Sequence, residues 1–71
     1  MGDVQRIERL SNRINEIDTL LFIITTHRGI RNTNLRTSQG DAFDDLFQEI
    51  AELDQTIWDL KVEKQRLINL I

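Results

Sequence analysis

The stretch IERLSNRINEIDTLLFII, residues 7–24, carries apolar side chains at Ile7, Leu10, Ile14, Ile17, Leu21 and Ile24. The steps between them alternate three, four, three, four, three, which is the a/d spacing of a heptad repeat. Residues spaced this way line one side of an α-helix, whereas a half-buried strand needs every second residue apolar. The same alternation returns at Phe43, Leu46, Ile50, Leu53, Ile57, Leu60, Lys64, Leu67 and Ile71. Lys64 alone breaks that second series, and its long stem is expected to lie along the seam while the ammonium reaches water. Two long helices are expected, at 3–28 and 41–70, inside a single domain spanning 1–71.

Between the two periodic segments the chain is polar, with Gly29 at one end and Gly40 at the other. His27 and Arg28 followed by Gly29 form a basic last turn and a glycine, a combination that ends helices well. The loop is therefore expected to run from 29 to 40. Ser38 or Asp41 is expected to cap the second helix through a side-chain oxygen, with Asp44 and Asp45 at the positive end of its dipole. A loop of that length lets the chain reverse and bring the two seams together. The expected fold class is all-α: a two-helix antiparallel coiled-coil hairpin that dimerises into a four-helix bundle.

The composition bounds what such a hairpin can be. Seventy-one residues, 39 % apolar and 30 % charged, make one small soluble-type domain rather than a membrane protein or a disordered tail. There is no cysteine, which excludes disulfides, thiolate metal sites and thiol nucleophiles. The start Met1-Gly2-Asp3-Val4-Gln5-Arg6 lacks the apolar core of a signal peptide, and Arg6 stands where a myristoylation signal needs Ser or Thr. The apolar run Leu20-Leu21-Phe22-Ile23-Ile24 is too short to span a bilayer. A cytoplasmic protein with no membrane contact is the expectation. A chain this short builds little core of its own, so an oligomer or a partner is the expected support.

The apolar residues left outside the seams say where that support attaches. Phe47, Ala51, Trp58 and Val62, spaced four, seven and four apart, form a second stripe on helix two. Leu20, Phe22 and Ile23 make helix one apolar all round near its loop end, and helices of that kind are buried on every side. An antiparallel register with a long loop is expected to gather Phe22 and Ile23 beside Phe43 and Phe47. In the alternative, the loop folds back and covers them with Ile30 and Leu35, but two apolar residues cover little of a helix side. Leu67, Ile68, Leu70 and Ile71 form an apolar end that either meets another chain or belongs to a helix continuing beyond an excerpt. The expected oligomer or partner interface is thus Leu20, Phe22, Ile23, Phe47, Ala51, Trp58, Val62, Leu67, Ile68 and Ile71.

The net charge is −3, and its distribution is uneven. Residues 41–54 hold Asp41, Asp44, Asp45, Glu49, Glu52 and Asp54 with no base among them. Asp41, Asp44, Asp45, Glu49 and Glu52 would form an acidic face for a basic partner. Arg28, Arg31 and Arg36, beside Thr33, Asn34, Thr37 and Ser38, are expected around the loop, pairing with Asp41, Asp44 and Asp45 or contacting an anion or partner. Arg6, Arg9 and Arg13 are expected near the last turns of helix two, where Glu63 is the only acid after Asp59. Some two-helix hairpins bind RNA as dimers, but here the bases are split between the two ends and the acidic segment repels phosphate. Nucleic acid is accordingly disfavoured as a partner.

The inventory for catalysis is poor. His27 is the single histidine and has no serine or cysteine partner at a readable spacing, so contact with a helix C-terminus is its expected role. Asp41, Asp45, Glu49 and Glu52 fall on one face, the oxygen-rich arrangement that Mg²⁺ favours. Glu49-Ile50-Ala51-Glu52 resembles half of the ExxE…ExxD metal signature of the all-α nucleotide pyrophosphohydrolases; after Glu63, however, come Lys64, Gln65 and Arg66, and the second half is missing. The segment Arg13–Leu21, followed by Arg28, is similar to the first helix of the all-α chorismate mutases. That likeness spans under half the chain and consists largely of heptad positions, and the family's later helices and its lysine and glutamate or glutamine positions have no counterpart. Neither activity is carried over. No catalytic residue, cofactor or metal is expected.

The expected function is therefore non-enzymatic: a protein–protein interaction and oligomerisation module acting through coiled-coil packing, with itself as a homodimer and another protein as partners. The alternative is a small standalone regulator or inhibitor that presents the acidic face 41–54 to a basic surface. A dimeric RNA-binding hairpin ranks below both.

Overall fold

A computed structural model describes residues 2–71; Met1, the first residue of the expected domain, lies outside the described residues. Helix α1 runs Gly2–Leu35 and helix α2 runs Asp41–Leu70. The two pack against each other as a hairpin 58 Å long and 15 by 12 Å across, and no strand occurs among the described residues. No described helix is long and apolar enough to cross a membrane.

The second helix has the expected limits, but the first runs seven residues past the expected end at Arg28. Gly29 is an interior helical residue instead of a terminating one, with open space around the position a Cβ would occupy. The physical reason lies in the heptad phase. Counting on from Leu21 and Ile24, the next seam positions are Arg28, Arg31 and Leu35, and all three are half-buried. The long stems of the two arginines occupy the seam where isoleucine or leucine stands earlier. Burial of those stems and their ion pairs outweighs the roughly 1 kcal/mol by which glycine disfavours a helix interior.

The connection is consequently short: Arg36, Thr37, Ser38, Gln39 and Gly40. Thr37 and Ser38 donate their backbone N–H groups to Asn34 and Leu35 carbonyls at 3.2 Å, and both hydroxyls donate to the Asn34 carbonyl. These bonds satisfy carbonyls that the end of a helix leaves unpaired. Neither Ser38 nor Asp41 caps α2 with its side chain. The N-cap is Gly40, at φ 63° and ψ −134°, and its carbonyl accepts the Asp44 N–H at 3.2 Å. That backbone conformation is open to glycine and costly for residues with a Cβ, which explains a glycine at the reversal. Asp41 and Asp44 occupy the first turn, where the helix dipole favours negative charge.

Every a/d residue from Leu10 to Leu35 and from Leu46 to Leu67 is buried or half-buried. Only two of the described side chains, Ile17 and Ile50, are enclosed enough to count as core. Four ion pairs bind the helices to each other and fix their register. Arg13 donates two hydrogen bonds to Glu63, at 3.0 and 3.2 Å. Lys64 Nζ lies 2.6 Å from Asp18. Arg28 makes a two-pronged contact with Asp54, and Arg31 Nε is 3.4 Å from Glu49. Residues 13 and 18 of α1 thus pair with 63 and 64, while 28 and 31, further along α1, pair with 54 and 49, earlier in α2, so the helices are antiparallel.

Candidate interaction surface

A hairpin buries one seam per helix, and here most of the remaining apolar surface faces outward. Phe22 is 75 % exposed, Trp58 64 % and Phe47 61 %, with Ile23 and Ile30 each about half exposed. These residues divide by heptad position into two sides. With Ile57 and Leu21 at position a, Trp58 and Phe22 are both at b, Ala51 is at b, and Phe47 and Ile68 are at e. Positions b and e lie three residues apart and share one side of a helix. Ile23 and Ile30 are at c, on the opposite side of the seam.

The ion pairs Asp18–Lys64 and Arg28–Asp54 bracket the middle of the hairpin. Between them Phe22 stands within about one turn of the level of Trp58. Phe22 therefore keeps company with Trp58 and not with Phe43 and Phe47, which belong to the loop end. The expected grouping of Phe22 and Ile23 with Phe43 and Phe47 fails because α1 continues to Leu35 and the reversal comes later. Phe43 and Phe47 stack on each other instead, centroids 6.4 Å apart and rings 18° from parallel. The loop does not fold back either, since Ile30 is helical and half exposed and Leu35 sits in the seam.

Three of the residues expected at an interface are drawn into the hairpin itself: Leu20 and Val62 are half-buried, and Leu67 lies in the seam. Phe22, Ile23, Phe47, Ala51, Trp58, Ile68 and Ile71 remain exposed. The face holding Phe47, Ala51, Trp58 and Ile68 runs most of the length of α2, and α1 adds Phe22 near its middle. Such a stripe, rimmed by charge, has the composition of a protein contact.

The arginines expected around the loop do not assemble there. Arg28 and Arg31 are helical, and their guanidiniums are taken by Asp54 and Glu49 instead of Asp41, Asp44 or Asp45. Arg31 Nε is shut off from solvent and its contact with Glu49 is too poorly aligned to be a hydrogen bond. Only Arg36 stays in the connection, exposed. Arg13 meets Glu63 as expected, and those hydrogen bonds push its guanidinium above its ordinary value. Lys64 does not send its ammonium to open water but gives it to Asp18. Signals for these inward charges existed in the sequence, because Arg28, Arg31 and Lys64 all stand at seam positions.

Of the acidic face, Glu49 is committed to Arg31, while Asp41, Asp44, Asp45 and Glu52 make no ion pair among the described residues. No three histidine or acidic side chains among the described residues converge closely enough to hold a metal ion. His27 is exposed on α1, about two turns before its end at Leu35, and so does not stand at the expected helix C-terminus. No protein-family model, curated protein or solved structure matches the chain. The functional reading therefore rests on the surface alone.

Proposed function

We propose that the chain is a non-enzymatic oligomerisation and interaction module, two hairpins associating through coiled-coil packing into a four-helix bundle. One observation carries this reading: two helices with 64 residues between them enclose only two core side chains and leave ten large apolar ones exposed. A core that small supplies too little hydrophobic stabilisation to hold a chain of this length folded by itself. Packing a second hairpin against the exposed stripe completes a bundle of the kind such sequences form. The footprint available, 58 Å by 15 Å, is on the scale of the about 800 Å² per partner that stable complexes bury.

The test is dissociation by a charge placed on the stripe. Phe47→Glu or Trp58→Glu converts the associated species to a monomer, read by light scattering, while Asp44→Asn and Glu52→Gln leave the mass unchanged. A wild-type chain that is monomeric at every concentration overturns the reading. The unpaired carboxylates Asp41, Asp44, Asp45 and Glu52 favour a second reading, a regulator that offers its acidic face to a basic protein. In that case the Asn and Gln substitutions abolish binding to the partner with helicity intact, and the stripe substitutions do not.

A further inference from the structure

We infer that the second copy docks antiparallel on the face carrying Phe22, Phe47, Ala51, Trp58 and Ile68, with Phe22 and Trp58 of both copies at the two-fold axis. This rests on the dimer proposed above and adds to it the side of the hairpin and the direction of the partner.

Charge selects the side. On the opposite side, where Ile23 and Ile30 lie at position c, α2 presents three carboxylates, Asp45, Glu52 and Asp59, against one base, Arg66, at its own c positions. Two copies meeting there bring carboxylates toward carboxylates, a juxtaposition that interfaces avoid. On the chosen side Asp18 and Asp54 are already neutralised by Lys64 and Arg28, so α2 keeps one unpaired carboxylate there, Asp44 at b, and α1 one, Glu8. That side also holds the tryptophan and two of the phenylalanines, the residue types that anchor interfaces.

Charge also selects the direction. Residues 19–57, the loop half, contain three bases and six acids and hold the whole net charge of −3; residues 2–18 and 58–71 balance six against six. A parallel dimer sets the two loop halves side by side at about one helix diameter, near the distance over which salt screens charge. An antiparallel dimer lays each acidic half along the other copy's neutral half, whose docking side carries Lys61 at position e. Phe22 and Trp58 stand near mid-length, so reversal about that level superposes the largest exposed apolar pair on itself. The same reversal carries Phe47 of one copy toward Ile68 of the other. A two-fold contact of this kind is self-complementary, as an isologous dimer requires.

The chain has no cysteine, so Gln39→Cys in the exposed turn creates one unique labelling site. Spin labels there report the distance between the two loops in the wild-type-like dimer. Antiparallel docking gives roughly 50 Å, twice the helix rise from Phe22 to the turn. A distance under about 20 Å, the breadth of two packed helices, overturns the direction while leaving the dimer intact. The side is read separately: Trp58→Glu shifts the dissociation constant at least a hundredfold and Ile30→Glu less than threefold, and the reverse ranking overturns it. A labelled chain whose wild-type parent is also monomeric removes the dimer itself, and this inference with it.

Discussion

Gly29 and Gly40 look alike in the sequence and do opposite things. Gly29 is an exposed interior residue of α1, with nothing within 4 Å of where an added methyl group would stand, so Gly29→Ala stabilises the helix by about 1 kcal/mol. Had the helix ended at Arg28 with Gly29 as its terminating residue, the same change would destabilise, so the sign of the shift in thermal midpoint decides. Gly40, with φ at 63°, is different: Gly40→Ala meets no clash, yet costs about 1–2 kcal/mol through its backbone. Arg31 carries the third residue-scale prediction. Its Nε is cut off from solvent and poorly aligned with Glu49, while Glu49 itself is partly exposed. Arg31→Leu is therefore neutral or stabilising by about 1 kcal/mol in thermal unfolding, as apolar replacements of imperfect inward ion pairs often are. Arg13 behaves otherwise with pH. Its guanidinium is raised by the hydrogen bonds with Glu63, so the stability it contributes through its own protonation is fully present below its ordinary pKa and is lost only in strong alkali.

At the scale of the helices, the seam was legible and its extent was not. The periodic residues from Ile7 to Ile24 and from Phe43 to Ile71 give both helices, and those from Leu10 to Ile24 and from Leu46 to Leu67 give their buried sides. The difference arises at Arg28 and Arg31, because a hydrophobic-periodicity reading skips charged residues and stops at the last isoleucine. Counting the phase without regard to polarity continues it through 28, 31 and 35. The carboxylates that accept those arginines, Asp54 and Glu49, sit beside the seam of α2, and nothing in one helix alone reveals them. The aromatic grouping expected at the loop end fails for the same reason, since seven more helical residues move the reversal and change which side chains face each other. Ile17 and Ile50 are the enclosed residues that hold the pair together. Ile17→Ala or Ile50→Ala lowers stability by about 2–5 kcal/mol, more than any other single truncation in the seam. Equal losses at the half-exposed ends, at Ile7 for instance, would mean that the centre of the packing lies elsewhere.

For the molecule as a whole, the exposed stripe was legible in its α2 residues Phe47, Ala51 and Trp58, whose spacing falls outside the a/d series. Val62, expected to extend it, is half-buried in the hairpin itself, and Phe22 joins it only through the register that the inter-helix ion pairs set. What no single sequence reveals is whether that stripe is covered. The central claim is that a second copy covers it, and the direct measurement is absolute mass by light scattering across a concentration series, with Trp58 emission recorded on the same samples. The account predicts a dimer whose tryptophan emission is shifted to the blue, and both signals are lost together on dilution. A monomer at all concentrations, with Trp58 emitting as it does in water, would contradict it.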